Sequence, residues 1–143
     1  DWGTSFPRKY IWIQSNNFEN SDASFMCSVA HIPFLASSFK GFICNLMING
    51  LEYRFASYNL SKLQLIENNN GTVRISIKKN NFILDICGKV TSSGGILKAP
   101  KSGLMKNFIK EGLNGKVSVK LTDKSGDVLF DSTGNCCGIE VVE

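Results

Sequence analysis

One histidine, His31, and three prolines, Pro7, Pro33 and Pro100, occur in the 143 residues. The five cysteines, at 27, 44, 87, 136 and 137, include no C-x-x-C pair, so the donor set of a structural zinc site is missing. No run approaches the roughly 18 apolar residues of a membrane-spanning helix, and no signal peptide is visible. There is no G-x-S-x-G, and Cys136-Cys137 has no base nearby in sequence, which argues against a serine or cysteine nucleophile. Gly94-Gly95 carries neither the lysine pattern of a phosphate loop nor a following helix. No metal and no cofactor are expected.

The charge balance also excludes a class of partner. Sixteen Lys and Arg against twelve Asp and Glu give a net charge of +4, and the lysines are spread along the chain. A nucleic-acid surface would need them clustered with aromatics between them. An odd number of cysteines, three of them inside apolar strand patterns, suggests free thiols in a reducing compartment, hence a cytoplasmic protein with no disulfide. The sequons Asn59-Leu60-Ser61 and Asn70-Gly71-Thr72 are read as chance matches. At this length the chain fits one domain, residues 1–143, long enough to bury roughly two thirds of its unfolded surface.

What is present is strand after strand. Phe42, Cys44, Leu46 and Ile48 alternate with Ile43, Asn45, Met47 and Asn49, and Asn49-Gly50 then opens Leu51 to Phe55. An Asn-Gly pair between two such runs predicts a hairpin, because a type I′ turn needs positive φ at both central residues. Val73, Ile75 and Ile77 alternate with polar neighbours, Lys79-Asn80-Asn81 turns the chain into Phe82, Leu84 and Ile86, and Val117, Val119 and Leu121 repeat the pattern before the Asp123 to Gly126 turn. Phe25 to Ile32 is an apolar run ended by Pro33, and Ile139 to Val142 reads as a closing strand. One short helix is expected over Met105 to Gly112, from the spacing of Leu104, Phe108 and Ile109 with Gly112 as a stop. About ten short strands and one helix make an all-β antiparallel barrel or sandwich.

The opening of the chain carries the most chemistry. On a strand, Trp12, Gln14, Asn16 and Phe18 share one face, while Ile11, Ile13 and Ser15 share the other. The aliphatic face suits a packing core, which leaves the aromatic and amide face to a barrel interior, an interface or an exposed surface. We take the interior, where Trp12, Gln14 and Asn16 would contact a hydrophobic ligand with a polar head.

The pattern Trp2-Gly3, Phe6-Pro7, then Trp12-x-Gln14-x-Asn16-x-Phe18 resembles the second half of the tocopherol cyclase family, built as tandem lipocalin-like β-barrels. Leu97-Lys98-Ala99-Pro100 is similar to the family's Ala-Pro element, and Gly134 with Gly138-Ile139-Glu140 to its closing strand. The resemblance implies a lipocalin-like barrel that is the C-terminal half of a longer, bacterial two-barrel protein, which agrees with a first residue, Asp1, that is not Met. It further implies an isoprenoid or lipid-like ligand, bound or cyclised by protonating an alkene so that a phenol oxygen captures the cation.

Such a reaction needs an acid in a dry pocket and aromatics facing the developing cation. Tyr53 is expected among the ligand-binding aromatics, with Tyr10, Phe55 and Tyr58 as further candidates. Glu140, inside the family-like closing motif, and Asp85 are the candidate catalytic acids, followed by Glu52 and by His31 as a donor near neutral pH. Three functions are consistent with these residues: a cyclase-type enzyme, a non-catalytic binding barrel, and a structural half that forms a homodimer or packs against a preceding barrel.

Overall fold

The computed structural model describes residues 7, 9–19, 21–34, 37–90, 96–101, 104–110 and 112–142, with the backbone alone for 33–34, 37–38, 96–101, 104–110 and 112–113. The Trp2 to Phe6 part of the opening motif lies outside the described residues. Among the described residues twelve strands are found: β1 (Tyr10–Ser15), β2 (Asn17–Phe18), β3 (Ala23–Phe34), β4 (Ser37–Ile48), β5 (Leu51–Ala56), β6 (Lys62–Asn69), β7 (Thr72–Lys79), β8 (Phe82–Lys89), β9 (Ile96–Lys101), β10 (Leu104–Lys110), β11 (Gly112–Asp123) and β12 (Val128–Val142). Ten of them form one sheet in the order β5-β4-β3-β1-β12-β11-β8-β7-β6, with β2 paired to β12, and β9 and β10 form a separate hairpin. Every pairing is antiparallel.

The turn chemistry explains why consecutive strands are neighbours. Asn49 and Gly50 have φ of 49° and 81°, the two positive values that the β4–β5 hairpin requires. Asn70 and Gly71 repeat this at 48° and 80° between β6 and β7, so the second sequon is a hairpin turn. Between β11 and β12, Asp123 accepts the backbone N–H groups of Ser125 and Asp127 on Oδ1.

The short helix expected over Met105 to Gly112 is corrected. Leu104–Lys110 is strand β10, paired with β9, and β11 begins at Gly112. The apolar pairs Leu104-Met105 and Phe108-Ile109 follow helical spacing, but the adjacent β9 supplies backbone partners that an isolated two-turn helix would lack.

One face of the long sheet curls around a single core. Ile13, Cys27, Cys44, Leu46, Val73, Ile77, Leu84, Val117, Val119, Leu121 and Cys137 have no solvent exposure at all, so the interior is filled with aliphatic side chains. The sheet's edge strands, β5 and β6, do not pair with each other, which makes the barrel nearly closed. Side chains bridge that seam: Tyr53 on β5 packs edge-on against Phe82 on β8 with centroids 5.7 Å apart, and Lys79 Nζ donates to the Arg54 carbonyl at 2.9 Å.

The expectation of five free thiols is corrected at one pair. Cys27 and Cys44 oppose each other across β3 and β4 and are joined as a disulfide, whereas Cys87, Cys136 and Cys137 are free.

Candidate functional site at the barrel mouth

The strand register decides which face of β1 looks inward. Ile11, Ile13 and Ser15 are buried, while Gln14 and Asn16 are exposed and Trp12 is partly exposed, with its ring across Gly138 of β12. The interior position expected for Trp12, Gln14 and Asn16 is therefore corrected: all three lie on the outer face. A filled barrel has one core, so a strand whose aliphatic face supplies that core turns its other face outward.

The remaining candidates are dispersed. Tyr53 is half-buried on the inward face, but it sits with Phe82 at the end of the barrel that holds the Asn49-Gly50 turn. Asp85 is exposed on the outer face of β8, where its Oδ1 accepts the Ser76 hydroxyl at 2.7 Å. Glu52 is exposed and ion-paired to Arg54 at 2.6 Å, and hydrogen bonds from Arg54 and then Asn45 hold its carboxyl below the usual carboxylate range, the wrong direction for a proton donor. Glu140 is half-buried on the outer face of β12 and accepts the Tyr10 hydroxyl at 3.1 Å on Oε2. Glu140 and Asp85 do not share a cleft.

Among the described residues a cleft of about 310 Å³ passes Asp85, Ser76 and Lys120, and another cavity forms at the end of the barrel away from Tyr53. A cleft of about 370 Å³ is lined by Lys9, Tyr10, Ile11, Val29, His31, Lys40, Ile66, Asn68, Val141 and Val142, contributed by the start of β1 and by β3, β4, β6 and β12. Its position follows from the seam. The register of β4 with β5 covers only Ile43–Ile48, so the stretch of β4 around Lys40 has no strand partner on that side, and β6 faces it without pairing. Ile11, Val29, Ile66 and Val141 continue inward-facing rows and give the cleft an apolar floor.

Above that floor lies a row of nitrogen-bearing side chains. On β3 the inward residues are Phe25, Cys27 and Val29, and His31 is next; on β4 they are Leu46, Cys44 and Phe42, and Lys40 is next. His31 and Lys40 are register partners, and the His31 N–H donates to the Lys9 carbonyl at 3.0 Å. Of the cleft's residues, sequence reasoning singled out only Tyr10 and His31. The other signal was there: Lys40 stands exactly where the alternation of β4 would place another core residue.

The profile of the tocopherol cyclase-like family matches residues 1–142. The chain belongs to this family. Among solved structures, the chain is similar to a crystal structure described as a putative ATTH from Nitrosomonas europaea, with a TM-score of 0.54 and 11% sequence identity. That likeness covers 99% of this chain and 54% of the other, so this tocopherol cyclase-like chain spans about half the length of its structural neighbour. At such identity the likeness establishes a shared barrel fold.

Proposed function

We propose that this chain is the barrel unit of a longer tocopherol cyclase-like protein and that it holds a hydrophobic, isoprenoid or lipid-like small molecule at the mouth cleft. The observation that carries this reading is the contrast between a solidly packed interior and one open end with an apolar floor. The volume falls at the lower end of the roughly 300–1,000 Å³ typical of small-molecule sites. Ligand chemistry would take place at the rim, where Tyr10 and Glu140 form the hydroxyl–carboxylate pair nearest the cleft, rather than at Asp85. The partly exposed outer face around Trp12 and Met26 supports a second role for the same unit, packing against a further barrel of the longer protein or a second copy.

The reading is tested by titrating the protein with a neutral long-chain alcohol whose uptake is followed by native mass spectrometry. Ile66→Gln, which places an amide on the floor of the cleft without opening the core, is expected to weaken uptake at least several-fold. Unchanged uptake would move the site elsewhere.

A further inference from the structure

From the row at the mouth we infer that the ligand is an amphiphilic anion, an apolar tail ended by a carboxylate or a similarly small anionic head, with Lys9, His31 and Lys40 holding the head. This rests on the proposed hydrophobic site and adds a charge to its occupant. Three observations converge. His31 on β3 and Lys40 on β4 are register partners, Lys9 sits beside His31 immediately before β1, and all three residues line the cleft. Among the described residues no Asp or Glu lines the cleft, and neither Lys9 nor Lys40 has an ion-pair partner. The floor beneath them is apolar.

Lys9 and Lys40 stand on either side of His31, so their like charges repel across it. A concave, low-dielectric wall also focuses the field of the lysines into the cleft, which strengthens attraction for an anion there relative to one on a flat surface. The head would sit between Lys9 and Lys40 and accept hydrogen bonds from either ammonium group, with the His31 ring as an additional donor. The tail would run down over Val29, Ile11 and Ile66. A neutral head would leave the ammonium groups unmatched, and a purely aqueous anion would leave the floor uncovered.

The experiment compares palmitate with hexadecanol, which have the same tail, on the wild type and on Lys9→Gln, Lys40→Gln and the double variant, with Lys124→Gln in the β11–β12 turn at the opposite end as a charge control. Palmitate is expected to bind more tightly than hexadecanol. Each mouth lysine removed should weaken palmitate about two- to fivefold, the range for partly exposed ion pairs, with little effect on hexadecanol. Raising salt should weaken palmitate alone. Equal affinities for the two ligands, or an equal loss with Lys124→Gln, would overturn the anion inference and leave the hydrophobic site standing. Binding of neither would overturn both. Sedimentation with vesicles containing phosphatidylglycerol, in the absence of palmitate uptake, would assign the lysines to a membrane surface and overturn the inference for a single bound molecule.

Discussion

The indole of Trp12 lies over Gly138, which stands one strand away on the outer face and opposite Gln14. A Cβ at position 138 would come within 2.9 Å of Trp12 Cζ3, so the aromatic ring occupies the space a side chain would fill. This contact ties the opening aromatic motif to the closing Gly-Ile-Glu segment through packing on the barrel's exterior.

Gly138→Ala should accordingly push the partly exposed ring outward, costing about 1 kcal/mol, near the low end for overpacking. Gly115→Ala should cost more, about 2–3 kcal/mol. Its Cβ would meet the Cys137 carbonyl oxygen at 3.0 Å and the Ile139 side chain, and neither backbone nor core can give way cheaply. Urea midpoints rank the two, and Trp fluorescence should shift to the red in Gly138→Ala only. The reverse ranking would mean that the indole is anchored more firmly than its exposure implies.

Cys136 changes the parity of β12. Phe130 and Gly134 are buried before it, and Cys137 and Ile139 after it, so even positions face inward on one side and odd positions on the other. The φ of 49° at Cys136 marks the extra residue that makes this possible. Cys136→Gly should be neutral or stabilising by about 0.5 kcal/mol, because glycine relieves the positive φ at some entropic cost. Deleting Cys136 should abolish cooperative unfolding, since Cys137, Ile139 and Val141 would all turn outward.

Burial pushes the Cys137 thiol up to about 11 from an ordinary value of 9.0. The unfolded chain therefore releases this proton at lower pH than the folded one. The stability this group contributes is complete below pH 9 and is lost as pH rises towards 11. Cys137→Val should flatten that part of the stability curve, read as the urea midpoint between pH 8 and 10. With Cys27 and Cys44 paired, three thiols should titrate after denaturation without reductant, and exposed Cys136 should react before Cys137 in the native state. Five titrated thiols would overturn the pairing.

Much of this barrel can be read from local signals. Asn49-Gly50 and the Asp123 turn announce their hairpins, and the alternation around Val73, Leu84 and Val119 marks the strands because one face of each is buried. The Leu104 to Lys110 segment misleads because its apolar pairs follow helical spacing and only its partner strand makes it extended. Trp12 misleads for another reason: alternation separates two faces but does not say which one a closed sheet turns inward. The mouth cleft was illegible as a site, since it depends on β5 stopping at Ala56 and on residues 9, 31, 40 and 66 meeting across four separate segments.

The turn that carries the chain from β5 to β6 supplies the last prediction. Asn59 works here as a clamp, with its Nδ2 donating to the Arg54 carbonyl at 3.0 Å and its Oδ1 accepting the Ala56 N–H at 3.0 Å, while Ser61 donates to the same oxygen. The sequon Asn59-Leu60-Ser61 is thus accounted for by backbone hydrogen bonding. The adjacent Leu60 is 82% exposed and has a φ of 65°, a left-handed conformation that a branched apolar side chain adopts at a cost of about 1 kcal/mol. Asparagine tolerates that region and has no apolar surface to leave in water, so Leu60→Asn should stabilise the protein by about 0.5–1 kcal/mol. Asn59→Ala should cost about 1 kcal/mol, because it removes one partner from the Ala56 N–H, which keeps Ser61, and one from the Arg54 carbonyl, which keeps Lys79. Both shifts are read from urea midpoints at constant m-value, and a destabilised Leu60→Asn would mean that the leucine is covered by something the isolated barrel does not contain.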